Sequence, residues 1–216
     1  MPFIYIINSN YADMYKVKFY FILLALFFLV QSCEKDKRPG LPTDGDGNTY
    51  DTIVLGTQVW LTENLKTTKY NDGYAIPLVE DDEFWSATGR PAYCWYLNEP
   101  YYKDSYGALY NFWAAQLHEY ICPVGYHVAT EEDWNTLAAY LLDASSDVRE
   151  SFKTIHTGVR NWDGSFAKYS YSGWWVYSSQ PGTSVSTSIP DSPEFHGFGR
   201  GMANMGLSIR CVKTRK

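Results

Sequence analysis

The chain has 216 residues, 45% hydrophobic and 18% aromatic, with a formal net charge of −6. That length fits one domain with an appendage, and the apolar fraction excludes wholesale disorder. The acidic balance, with no Lys/Arg cluster above three residues, excludes nucleic acid as the partner, and four cysteines are too few for a disulfide-dense miniature fold.

The first element is an apolar run from Phe19 to Val30, preceded by Lys16 and Lys18. A membrane-spanning helix needs about 20 such residues, so this shorter run reads as the apolar region of a signal peptide. Met14 heads it, which makes residues 1–13 an upstream extension and 14–32 the signal peptide. Val30-Gln31-Ser32-Cys33 follows and resembles the bacterial lipobox, although Gln31 is an imperfect fit. In that motif the Cys becomes the lipidated first residue of the mature chain. The expectation is an exported protein, lipid-anchored through Cys33 to the bacterial cell envelope at the outer membrane, with the membrane as a partner. Acyl chains contribute about 0.8 kcal/mol per buried methylene, enough for durable anchoring when two or three are present. The leader holds nine of the 38 aromatics, so 29 remain in the 184 residues beyond it.

Residues 33–48 are charged, contain Pro and Gly, and read as a flexible tether. Asp44, Asp46 and Asn48 have the spacing of the first EF-hand ligands, but Thr49 replaces the required Gly and Leu55 the bidentate Glu. A turn-rich linker is the better reading.

The folded part spans residues 49–213. Ile53-Val54-Leu55 and Gln58-Val59-Trp60-Leu61 flank Gly56-Thr57 and predict a hairpin. Asp104-Ser105 predicts the cap of a helix running through Leu117, with Leu109, Trp113 and Leu117 on one face. Thr130 predicts a second N-cap with Asp133 at the capping-box position, followed by a stripe of Trp134, Leu137, Ala138 and Leu141. Trp174 to Tyr177 and Leu207 to Val212 predict strands, and Ser178 to Pro193 a long loop. Two helices followed by strands and long loops make an α+β domain.

Several blocks resemble a bacterial family: Trp60-Leu61-Thr62-Glu63-Asn64-Leu65-Lys66, Tyr70-Asn71-Asp72-Gly73, Pro91 to Tyr96, Tyr106 to Asn111 and Cys122 to Val128. In this order they resemble the Fibrobacter succinogenes major paralogous domain, common in lipoproteins of Bacteroidetes-type bacteria, over about residues 49–213. The second half matches more loosely, and residues 178–199 depart from the family's usual pattern. His127 to Trp134 is also similar, more distantly, to the strand–cap–helix element of formylglycine-generating-enzyme-like domains. That similarity implies a C-type-lectin-like fold with two helices, a small mixed, mostly antiparallel sheet, paired chain termini and long loops.

With Cys33 lipidated, Cys94, Cys122 and Cys211 remain, and an exported compartment permits a disulfide. Cys122, before the second helix, and Cys211, in the last strand, are the favoured pair, leaving Cys94 as a buried apolar thiol, although connectivity stays open in one sequence. The four histidines are scattered, and His127 reads as a structural hydrogen-bonder. No catalytic residue, metal ligand or cofactor is expected. Glu99-Pro100 and Asn161-Trp162-Asp163 resemble fragments of calcium-lectin motifs, but Asp163-Gly164 reads equally as a turn. Tyr169, Tyr171, Trp175 and Tyr177 are the candidate ligand-binding aromatics, with Tyr101 and Tyr102 also expected to reach solvent. The expected function is a non-catalytic lectin-like binding domain for a glycan or envelope surface protein. The alternative is a structural or assembly component of the outer envelope without a small ligand. An enzyme of the formylglycine-generating type fits least, since only Cys211 stands where its cysteine pair would fall.

Overall fold

A computed structural model describes residues 40–116, 118–152, 157–167, 173–177, 183–185, 198–200 and 202–215. The chain divides after residue 38, and all described residues belong to the second unit, Pro39–Lys216. Strands β1 (Thr52–Leu55) and β2 (Gln58–Leu61) form the hairpin expected around Gly56-Thr57, with Leu55 opposite Gln58. Gly56 turns at φ +60, where a side chain is strained, and an added Cβ would meet the Tyr140 ring. Further strands are β3 (Tyr93–Cys94), β4 (Leu109–Tyr110), β5 (Tyr126–Val128), β6 (Val159–Arg160), β7 (Phe166–Ala167), β8 (Trp174–Trp175), β9 (Thr183–Val185), β10 (Phe198–Arg200) and β11 (Cys211–Lys213). They make a four-stranded sheet in the order β1-β2-β11-β5, a three-stranded sheet β10-β9-β8, and the pairs β3-β4 and β6-β7. Pairing within these sheets is antiparallel throughout. The helices are α1 (Asp82–Ala87), α2 (Lys103–Tyr106), α3 (Phe112–Ala115), α4 (His118–Ile121), α5 (Glu131–Asp143) and α6 (Ser146–Ser151). The fold is mixed α/β with small antiparallel sheets, and its first hairpin lies beside its last strand, Trp60 opposite Val212.

Helix α5 starts where the cap chemistry directs it. The Thr130 hydroxyl accepts from the Asp133 amide, and the Asp133 carboxylate accepts from the Thr130 amide, a reciprocal capping box. Trp134, Leu137 and Leu141 are buried on one face. Trp134 lies 4.9 Å from Trp60 and 5.6 Å from Trp174 between ring centroids, with Phe152 edge-on at 6.4 Å. Truncating a buried Trp or Phe in such a cluster costs about 3–5 kcal/mol, so these rings hold α5 to the main sheet.

The strand expected from Leu207 to Val212 is regular only at its end, because its earlier residues bond different neighbours in turn. Gly206 exchanges backbone hydrogen bonds with Arg160, and Leu207 with Tyr110. The Ser208 carbonyl accepts from the Trp175 amide, Ile209 from Leu65 and Arg210 from Ala129. This segment therefore stitches separate sheets into one body.

Three expectations are corrected. The helix predicted through Leu117 is broken into α2 and α3 by β4; Leu117 itself lies outside the described residues. Gly107 ends α2 at φ +77 with backbone so close to Asn64 that a Cβ would sit 2.8 Å from it, and Asn111 then caps α3. The tether expected to reach residue 48 gives way to folded chain from Gly40 onward. Asp44 is buried there because its carboxylate accepts from the Asp46 and Asn48 amides, the Asn48 side chain and the Tyr50 hydroxyl. Burial, followed by the Asp44 charge, raises the Tyr50 hydroxyl well above its ordinary value. The loop predicted from Ser178 to Pro193 includes β9; the rest of it lies outside the described residues.

Cys122 and Cys211 are joined, with Cα atoms 6.0 Å apart, tying the start of β11 to the end of α4. One residue before Cys211 the Arg210 guanidinium is fully buried: Nε donates to Asn64 Oδ1 at 2.9 Å, and a terminal nitrogen donates to the Leu61 carbonyl at 2.9 Å. Burial lowers Arg210 to about 10, against a smaller upward pull from Glu63, so it stays cationic near neutral pH. Asn64 Oδ1 also accepts from Trp174 Nε1 at 3.0 Å, and its amide donates to the Tyr106 carbonyl. One side chain from the Glu63-Asn64-Leu65 block thus links β8, α2 and the final segment.

Burial alone would raise the Asp133 carboxyl, but hydrogen bonds from His127 and from the Thr130 amide and hydroxyl outweigh it and hold the group at about 2. A depressed carboxyl stabilises the fold above its unfolded value, near 3.9, and that contribution is lost as pH falls through about 2. Asp133→Asn should cost about 1.5–3 kcal/mol at pH 7, the range for hydrogen bonds to a charged group. Urea titrations should show the gap from wild type closing between about pH 4 and pH 2; a gap that persists at the acid end would contradict this role.

Candidate functional site

Three loop segments meet around Arg160, whose side chain has no exposed surface. Its Nε donates to the Gly164 carbonyl at 2.8 Å, and its terminal nitrogens donate to the carbonyls of Val79 at 2.6 Å and Glu80 at 2.8 Å. The Asp82 carboxylate accepts a further bond at 2.7 Å. The guanidinium lies over Trp85 at 4.4 Å and Phe166 at 5.0 Å from the ring centroids. A third segment joins through Asn98, whose amide donates to the Glu80 carbonyl at 2.9 Å. Cys94 lies in the same core. Burial pushes its thiol up to about 12 while Arg160 pulls it down, so the thiolate is scarce at neutral pH and Cys94 is a poor nucleophile.

This base presents an aromatic surface. Tyr96 is buried and makes edge contacts with Tyr102 at 5.4 Å, Tyr106 at 6.0 Å and Phe166 at 5.7 Å. Tyr102 and Tyr106 stack at 4.9 Å with 9° between their planes, and Tyr101 stands edge-on to Tyr102 at 5.5 Å. Gly158, at φ +67, admits the Tyr96 ring where a Cβ would lie 2.3 Å from it. Leu97 and Asn98 hold positive φ values of 53° and 58°; Asn tolerates that region, whereas for Leu it is strained. Exposure reaches 85% at Tyr101, 62% at Phe84, 55% at Trp162 and 44% at Leu97.

The residues singled out from sequence fall differently. Cys33, Tyr169 and Tyr171 lie outside the described residues. Trp175 is a correction: it is buried, donating from Nε1 to the Tyr110 carbonyl at 2.6 Å and packing on Phe112. Strand alternation left one of Trp174 and Trp175 free to face solvent, but both faces of β8 are covered, Trp174 by Trp134 and Trp175 by Phe112. Tyr177 is half-buried against the core, its amide donating to the Ala129 carbonyl. His127 bonds Asp133 at 2.9 Å and Thr214 at 3.2 Å. Asn161 to Ser165 form a turn in which Asp163 accepts from the Ser165 amide and hydroxyl, and those bonds hold its carboxyl below the usual value. Among the described residues no three His, Cys, Asp or Glu side chains group as metal ligands.

Of the exposed side chains at this site, Phe84 and Leu97 carry no signal in the sequence, and Trp162 is marked there only within the Asn161-Trp162-Asp163 fragment. For Trp162 the signal lay in the turn itself, since Asn161-Trp162-Asp163-Gly164 puts its central side chains outward.

Residues 53–156 match the family model of the Fibrobacter succinogenes major domain. The match includes α1, the Tyr102–Tyr106 stack and the capping box of α5, and it ends before Arg160. No curated protein and no solved structure matches the chain. Through residues 53–156 the chain belongs to the Fibrobacter succinogenes major domain family.

Proposed function

We propose that this protein is anchored to the outer membrane of the bacterial envelope through a lipidated Cys33 and carries a non-catalytic, C-type-lectin-like binding domain for a glycan or surface protein. The observation that carries the reading is Tyr101, the most exposed aromatic in the described chain, mounted on the Tyr102–Tyr106 stack. Sugar rings present C–H groups that lie against aromatic faces, and a platform whose rings are already ordered loses little entropy on binding. The adjacency of first hairpin and last strand supports the lectin-like architecture.

A second reading, an assembly component without a small ligand, is favoured by one feature. Strand β1 is an edge of the main sheet and exposes Val54, and unpaired edges are templates for pairing with another chain.

A glycan array probed with the full chain carrying Cys33→Ser should give specific binding. Tyr101→Ala should weaken it by roughly 2- to 10-fold, the worth of one aromatic contact. Unchanged binding in that variant removes the platform, and no glycan binding alongside co-purification of an envelope protein selects the assembly reading. Separately, Cys33→Ala should move the protein from the detergent phase to the aqueous phase in a partition assay; unchanged partition would sink the anchor.

A further inference from the structure

Beside the tyrosine stack lies a surface that the glycan reading leaves unused. Segments 80–84, 97–99 and 161–165, gathered by Arg160 and Asn98, expose Phe84, Leu97 and Trp162. The same segments hold six carboxylates and no Lys or Arg: Glu80, Asp81, Asp82, Glu83, Glu99 and Asp163. Asp82 is paired with Arg160; among the described residues none of the other five is ion-paired. Asp81 caps α1 and Asp163 closes its turn, so those two are also fixed in place. The carboxylates do not converge as metal ligands, because they are spread over three segments and no three group together.

We infer that this apolar, acid-rimmed face docks a Lys- or Arg-bearing peptide segment of a partner protein, a proposal that rests on the reading of the domain as a binding module. Charge identifies the occupant. Exposed aromatic and aliphatic groups supply contact area, and an aromatic face beside carboxylates attracts ammonium and guanidinium groups by cation–π and Coulomb terms together. Carboxylates distributed over segments, with apolar side chains among them, match a chain that offers several separated cations better than a single bound amine. Concentrated negative charge also steers a basic partner inward and repels anionic envelope polymers.

The test is fluorescence anisotropy of a labelled ten-residue peptide of alternating Lys and Ala, titrated with the full chain carrying Cys33→Ser. Binding is expected, weakening at least about tenfold between roughly 50 and 500 mM NaCl as charges are screened. Replacing Glu80, Glu83 and Glu99 together by Gln should weaken binding at least about tenfold at low salt, and Trp162→Ala at least about threefold. Those side chains are exposed and bond no other described side chain, so unchanged thermal melting is the control for folding. The inference is overturned if the Lys peptide does not bind, if a Glu/Ala peptide binds equally, or if the triple variant binds like wild type. It is also overturned if a chitosan oligosaccharide binds this face more tightly than the peptide. A positive glycan array on the same sample with no peptide binding would remove this inference and leave the binding-module reading standing.

Discussion

Arg160 is a cation with no solvent contact, and what replaces its water is the backbone of two loops. Carbonyls from Val79, Glu80 and Gly164 face its nitrogens, while Trp85 and Phe166 cover its planar surfaces. A loop buried without strand or helix partners has carbonyls that cost free energy unless something donates to them, and one guanidinium supplies donors in a fixed fork. Lysine carries the charge but not that geometry. Arg210 meets a similar need elsewhere in the domain, where Leu61 and Asn64 are its acceptors. In a fold with strands of two to four residues, these side chains replace much of the ladder that a larger sheet would supply.

The parts legible in the sequence are those governed by local chemistry. Thr130 with Asp133, the Gly56 turn and the stripe Trp134, Leu137, Leu141 each depend on neighbours within one turn or hairpin. The parts that were not legible depend on distant partners. Asp44 and Asn48 look like linker residues until Tyr50 and each other are placed around one carboxylate. Leu109 fits a helical spacing, yet Gly107 packs on Asn64 and sends Leu109 into a strand against Cys94. Arg160 carries no mark in the sequence at all, because its meaning lies in carbonyls about eighty residues earlier. Trp175 shows the limit of alternation, which says that neighbours face opposite ways but not whether both sides are covered.

The same division explains the aromatic excess. Trp60, Trp134 and Trp174 pack the core around α5, and Tyr96 with Trp85 packs the core beneath the loops. Among the described residues the exposed rings are Tyr74, Phe84, Tyr101, Tyr120, Tyr140 and Trp162; Phe84 and Trp162 sit on the segments that Arg160 joins, and Tyr101 on the tyrosine stack. Binding surfaces lose affinity when their own side chains must be ordered, so rings whose neighbours are already packed and hydrogen-bonded are consistent with the binding role proposed above. The buried, weakly acidic Cys94 thiol fits that picture, since it offers no reactive thiolate near neutral pH.

Arg160 holds the loops that carry Phe84 and Trp162. Hydrogen exchange by mass spectrometry on Arg160→Lys addresses that directly, because the charge is kept while the fork is lost. Faster exchange confined to residues 79–85 and 161–166, with β2 and β11 as protected as in wild type, is the predicted result. Exchange unchanged in those loops, or raised equally throughout the domain, would contradict it.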